Sequence, residues 1–405
     1  MKTIRISFSN AVFLAGLMCV VAACDSEHNP SNALIEDSGF VGDSMQNEHR
    51  DLSVFDAPDQ SLTPPVINSV GFQTMELTYT PTDTERTLPL YFWYPSSAIE
   101  GTPARYNGFL GSEVAFKNVP PIEDTNFPVL LFSHGKRGMG AATSAFMMEH
   151  FARNGWFVVA WEHTGDTTFN ADDIGLTYLH RPLDITAVID FIFDPTSTHG
   201  FADRLDEAVL LSGHSRGGYG ALAAAGAQFD IESAQSSCSQ ANTSEYCRAY
   251  NAYPERFNSG FLDSRVKGLI LLASGDYARF NDGIRNVTIP VLQWTAGGDR
   301  NNSNQDDGDP IWNALSGNAI RFNITNGGHF TFTSICSIVG PLGVDNGCDP
   351  DNYPLERAHS LINQYSLQFG NAFIRNIASE RTSLLGLSTE MLDEPNVTLN
   401  KKVEE

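Results

Sequence analysis

Between Pro128 and Thr325, apolar runs of strand length alternate with stretches of helical spacing, and this order restricts the chain more than any other feature. The runs are Pro128 to Phe132, Trp156 to Trp161, Ala208 to Leu211, Val266 to Ala273, Pro290 to Thr295 and Ala319 to Thr325. Between them, Ala145 to Phe151, Leu183 to Ile192 and Arg216 to Ala227 have helical character. A strand that is apolar at nearly every position must be covered on both faces. The alternation therefore predicts an α/β fold, with a mostly parallel central sheet and helices on both faces. Upstream, Met75, Leu77 and Tyr79 alternate with polar residues, and Leu88 to Tyr94 forms a second β-rich run closed by Pro95. This pair predicts an N-terminal antiparallel hairpin.

The ends of the chain read differently. Lys2 and Arg5 precede an apolar core from Ala11 to Ala23, the pattern of a signal peptide over residues 1–23. Val21-Ala22-Ala23-Cys24 resembles the lipobox of bacterial lipoproteins. That resemblance implies cleavage before Cys24, a lipid on its sulfur, and peripheral attachment to a membrane facing the periplasm or cell exterior. Simple secretion is the alternative. Residues 24–65 carry nine Asp and Glu against Arg50 alone, so they cannot bury enough surface to order themselves and are expected to form a disordered acidic tether. The α/β domain is expected over 66–380, with a polar insertion near 229–262, a lid, pocket wall or surface decoration, and a polar tail over 381–405.

A net charge of −23 argues against nucleic acid as a partner, because phosphate binding needs clustered Lys and Arg. Cys238, Cys247, Cys336 and Cys348 allow three pairings. Short separations and an oxidising compartment favour Cys238–Cys247 and Cys336–Cys348. Neither a C-x-x-C pair nor a His-rich cluster suggests a metal. Asn301 to Asp309 lacks the spacing of a calcium loop and reads as solvated.

Chemistry concentrates at Gly213-His214-Ser215-Arg216-Gly217. A serine hydroxyl is a poor nucleophile until a base takes its proton, so serine, base and an orienting acid must be held together. The apolar run Ala208 to Leu211 before Ser215, and the small-residue helix after it, supply the strand–turn–helix that such a serine needs. Downstream, only His329 and His359 could be the base. His329 follows a strand in Asn326-Gly327-Gly328-His329-Phe330 and is preferred, whereas His359 falls in a C-terminal helix. For the acid, Asp299 after Ala296-Gly297-Gly298 is preferred, with Asp276 as the alternative and Asp306, Asp307 and Asp309 behind them. An oxyanion needs backbone N–H donors. These are expected from Arg216, next to the serine, and from Lys136 in the loop Ser133-His134-Gly135-Lys136. His134 could instead serve as a base.

Three segments together, Phe132-Ser133-His134-Gly135, Gly213-His214-Ser215-Arg216-Gly217-Gly218 and Gly327-Gly328-His329-Phe330, resemble the α/β-hydrolase fold. Within it they are similar to the platelet-activating-factor acetylhydrolase-like branch, often labelled predicted dienelactone hydrolases. Leu90 to Pro95 and Arg181-Pro182-Leu183-Asp184-Ile185 add to this likeness, which runs from Gly71 to Phe373. The serine motif is also similar to that of chlorophyllases, and bacterial cutinase-like polyester hydrolases share the three-part arrangement. The resemblance implies hydrolysis of a small-molecule or lipid carboxylic ester through an acyl-enzyme on Ser215, His329 and Asp299, with neither metal nor cofactor. It keeps Asp276 open, since some members of the branch take their acid from the earlier strand, and it carries over neither substrate nor oligomeric state. The same residues would serve a peptidase or an acyltransferase, and a hydrolase fold without turnover would leave a surface-anchored binding protein.

Overall fold

The computed structural model describes residues 69–172, 175–238, 242–340 and 343–403. The expected signal peptide, Cys24 and the acidic tether lie outside the described residues.

One sheet organises the domain. Its strands are β1 (Ser69–Tyr79), β2 (Arg86–Ser96), β3 (Pro103–Tyr106), β4 (Leu110–Lys117), β5 (Phe127–Ser133), β6 (Phe157–Trp161), β7 (Leu205–His214), β8 (Val266–Leu272), β9 (Val291–Ala296), β10 (Ala319–Ile324) and β11 (Val397–Lys402). Their spatial order is β11-β10-β9-β8-β7-β5-β6-β2-β1-β4-β3. From β10 to β6 every neighbouring pair is parallel, as continuous apolar runs require. The hairpin β1–β2 is antiparallel and joins the sheet through β2 and β6.

Side-chain alternation along these strands divides the core in two. In β5, Val129 and Leu131 face a layer that includes Ile185, Val188 and Leu222. Leu130 and Phe132 face the opposite layer, with Met148, Phe151 and Phe369. All seven residues of β5 are buried, so the strand sits at the centre of both layers. The helices Thr177–Phe193 and Arg216–Ala224 contribute to the first layer, and Ala145–Arg153 and Leu355–Phe373 to the second.

Two parts of the sheet depart from expectation. β3 and β4 were not anticipated, because their four and eight residues are short and mixed in polarity. β4 lies parallel to β1, with Val70 opposite Ala115. Residues 381–405, expected as a polar tail, instead end in β11, which pairs antiparallel with β10 from Ala319–Lys402 to Ile324–Val397. The helix Ala378–Gly386 just before it buries Leu384. An edge strand needs only a partial apolar pattern, here the buried Val397 and half-buried Leu399, so overall polarity hides it. Its lysines also serve the edge: Lys402 Nζ donates to the Trp312 and Leu315 carbonyls at 2.6 and 2.8 Å.

The described residues of the insertion form three short helices, Ile231–Ser237, Glu245–Ala252 and Pro254–Ser259. Cys238–Cys247 closes across nine residues, and Cys336–Cys348 across twelve. Among the described residues, no helix is long and apolar enough to cross a membrane.

Truncation after Asn396 removes β11 and exposes the backbone edge of β10. The truncated chain should melt several degrees lower, about 2–4 °C for each kcal/mol lost, and should associate through the freed edge. Calorimetry and light scattering check this; an unchanged melting temperature with monomeric behaviour contradicts it.

Candidate active site

Parallel strands deliver the loops that follow them to one edge of the sheet. The loops after β5, β7, β9 and β10 carry Lys136, Ser215, Asp299 and His329 respectively.

Ser215 stands between the end of β7 and the helix Arg216–Ala224 with φ 55° and ψ −125°. An L residue adopts that conformation only at a cost of order 1–3 kcal/mol, so the surroundings must enforce it. They do so by close packing of backbone on backbone. A methyl group on Gly213 would lie 2.3 Å from the Gly217 carbonyl oxygen, and one on Gly217 would lie 2.0 Å from that of Ser133. Ser215 N–H is also fixed, donating to the Leu272 carbonyl at 2.9 Å.

Asp299 and His329 are joined directly. His329 Nδ1 lies 2.9 Å from Asp299 Oδ2, and both side chains are buried. The other oxygen, Asp299 Oδ1, accepts the N–H groups of Asn301 and Asn302 at 2.8 and 2.9 Å. Backbone donors of this kind hold a carboxylate in one orientation. His329 is fixed through its main chain as well: its N–H donates to Asn346 Oδ1 at 3.0 Å, and its carbonyl lies 3.1 Å from His214 Nε2. Ser215 and His329 line the same cavity of about 50 Å³, together with Gly135, Lys136 and the apolar Met139, Phe330 and Ile335. Ser215 Oγ accepts from Asn302 Nδ2 at 3.5 Å.

The other candidates lie apart from this pair. Asp276 accepts the Tyr178 hydroxyl at 2.5 Å and faces Arg216 and Arg279 at 3.7 Å. Asp306 pairs with Ser303, Asp307 accepts the Tyr277 N–H, and Asp309 pairs with Arg321. His359 stacks on Phe146 at 3.7 Å and bonds to the Thr333 carbonyl. His134 has both nitrogens engaged by the backbone, Nδ1 with the Gly135 carbonyl at 2.7 Å and Nε2 with His163 N–H at 3.0 Å, which leaves no position for taking a proton. The stretch Asn301 to Asp309 is not simply solvated: Asp307 and Gly308 are buried, and the segment supplies Asn301 and Asn302 to the site.

A hydrogen-bonded serine–histidine–aspartate array forms at the end of β5. Ser133 Oγ is 2.8 Å from His163 Nε2, and His163 Nδ1 is 2.7 Å from Asp184 Oδ2. All three are sealed from solvent, and Asp184 is pinned further by Arg86 at 3.1 Å. No substrate reaches it, so its work is to hold the end of β5. Arg181, also sealed, completes the support: it donates to the His134 and Gly135 carbonyls at 2.5 and 2.9 Å and to Asp166 at 2.7 Å. Asp166 in turn accepts Arg137 N–H at 3.0 Å. The loop carrying Lys136 is thereby fixed from below.

Sequence reasoning missed Asn302, Asn346, Asp166, His163 and Glu245, the last of which pairs with Lys136 at 3.2 Å and also with Arg216. Only Asn346-Gly347 carried a usable signal, since both residues take positive φ and Asn-Gly marks such turns. Among the described residues, no group of three or more His, Cys, Asp or Glu side chains could hold a metal ion.

No protein-family profile matches the chain, and no curated protein matches it. Among solved structures, it is similar to a ferulic acid esterase from Streptomyces cinnamoneus, with a TM-score of 0.54 and 20% identity over 83% of this chain and 98% of that one. At that identity the likeness is one of fold.

Burial keeps several histidines neutral. It lowers His163 to about 4 and His214 to about 3, and drives His134 well below its ordinary range. His150 and His359, lowered by burial to about 4, behave alike. Unfolding frees each to bind a proton below ~6.5, so the stability they confer is present above that pH and lost as pH falls towards 4. Asp307 opposes them, because burial raises it to about 7 and the native state keeps its proton; Glu149 and Glu162, raised by burial, act in the same sense as Asp307. The histidines outnumber these groups, and each contributes about 1.4 kcal/mol per pH unit. The urea midpoint should therefore fall steadily from pH 6.5 to 4.5; a flat profile over that range contradicts the assignment.

Proposed function

We propose that this chain is a serine esterase of the α/β-hydrolase type, hydrolysing a carboxylic ester through an acyl-enzyme. The observation that carries the reading is the Asp299–His329 pair, buried and opening onto the cavity that holds Ser215 on its strained turn. His329 Nδ1–H donates to Asp299, which leaves Nε2 as the base. Ser215 Oγ attacks the acyl carbon and passes its proton to Nε2. The Arg216 and Lys136 backbone N–H groups receive the developing oxyanion. As the intermediate collapses, the imidazolium returns the proton to the leaving alcohol, and a water molecule then repeats the cycle on the acyl-enzyme.

The likeness in fold to a ferulic acid esterase supports esters as the substrate class, and the apolar Met139, Phe330 and Ile335 suit an uncharged group beside the ester. Export belongs to the same proposal. The two disulfides form where thiols are oxidised, and a lipid on Cys24 would hold the domain at a membrane surface through the acidic tether. Fatty-acid labelling that persists in Cys24→Ala would remove the anchor from the proposal.

Ser215→Ala should reduce kcat/KM on short p-nitrophenyl esters by about 10⁴-fold or more while the fold survives. Asp299→Asn should cost about 10³–10⁴-fold and more than Asp276→Asn, which separates the two acids. Undiminished hydrolysis by Ser215→Ala would sink the proposal.

A further inference from the structure

The two residues whose N–H groups are assigned to the oxyanion come from separate loops, after β5 and after β7. What fixes one relative to the other at their side-chain ends is a third element. Glu245 Oε1 is 3.2 Å from Lys136 Nζ, and Glu245 Oε2 pairs with Arg216 Nη1. One carboxylate thus spans both residues. It is 11% exposed, and Arg216 is 9% exposed, so the bracket is screened far less than a surface ion pair.

Glu245 is itself held firmly. It opens the helix Glu245–Ala252, whose first turn is capped by Ser244 Oγ accepting Cys247 N–H at 3.3 Å. Cys247, two residues on, is bonded to Cys238. Between them Tyr246 is buried edge-to-face against Tyr178 at 5.4 Å, with the Arg279 guanidinium over its ring at 4.6 Å. Arg216 rests on the same aromatic group: its guanidinium lies over Tyr178 at 4.6 Å, and its Nη2 donates to the Tyr178 hydroxyl at 3.1 Å. Disulfide, cap and aromatic packing therefore fix the carboxylate, and the carboxylate fixes the two cations.

We propose that the disulfide-closed insertion serves as a brace for the oxyanion wall, with Glu245 as the positioning residue that sets Lys136 and Arg216 relative to each other. The inference rests on the esterase reading above. Preorganised donors stabilise charge only where they already stand at the right separation, and misplacement of about 1 Å can cost 10²-fold in rate. Glu245 touches neither substrate nor Ser215 in this role. Its effect passes through the backbone of two neighbours, so it belongs to kcat rather than to KM.

Glu245→Gln removes the charge and keeps the shape. It should lower kcat on a p-nitrophenyl ester about ten- to a hundredfold and shift KM less than about threefold, since the lost interaction is made in the transition state. Cys238→Ser/Cys247→Ser should lower kcat in the same direction in the wild-type background and have little further effect on top of Glu245→Gln. That non-additivity is the signature of a brace acting through Glu245. A structural defect would instead add to the first substitution. If Glu245→Gln does not fold, Lys136→Gln, which keeps its backbone donor and removes one arm of the bracket, should show the same kcat-selective loss. A kcat within twofold of wild type, an effect on KM alone, or full additivity would overturn the brace and leave the esterase reading intact. A wild-type chain that hydrolyses no ester would overturn both.

Discussion

The adjacency of β5 and β7 is the constraint on which the site depends. Because they are parallel neighbours, Ser133 and Gly213 end side by side, and the loops that follow are forced into contact. Gly217 then passes the Ser133 carbonyl so closely that a methyl group would fall 2.0 Å from it. That approach holds Ser215 in a conformation it would not choose, and it brings Gly135 within reach of His214 and Ser215. Strain at one residue is thus sustained by packing of two strands whose apolar faces are buried on both sides.

Charge is also sealed in quantity around the loop that follows β5. Arg181, Asp166, Asp184 and Arg86 are nearly or fully buried, an expensive arrangement unless every charge is matched. Here they are matched with hydrogen bonds as well as ion pairs, and the bonds end on the His134 and Gly135 carbonyls and Arg137 N–H. Such a network contributes less to net stability than to fixing one backbone path. Its bonds end on the backbone either side of Lys136, and that location is its physical rationale.

The parallel sheet and its order along the chain were legible because continuous apolar runs admit few alternatives. Ser215 and His329, which line one cavity, could be singled out as candidates because their glycine neighbours and chain order are local properties. Asp299 could be ranked over Asp276 from its place after β9, and the geometry joins Asp299 to His329 while Asp276 faces Tyr178 and Arg216. Glu245 and Asp166 were not legible, since each acts across a long sequence separation and neither sits in a patterned segment. Asn302 was hidden by composition: a run of Asn and Asp looks solvated whether or not one amide turns inward to bond the Ala273 carbonyl at 2.7 Å. β11 was hidden for the opposite reason, because an edge strand can afford polar residues that a central one cannot.

That last strand bears on how the domain is assembled in time. β11 is the most C-terminal of the described elements, yet it covers β10, which borders the strand leading to Asp299. During synthesis, every other described strand leaves the ribosome before the piece that covers this edge. The growing chain therefore carries an open margin along β10 until residues 397–402 appear and pair with it. On that side of the sheet, the strand leading to Asp299 gains its neighbour β10 before β10 gains its own cover, so the flank of the site is paired from the inside outwards.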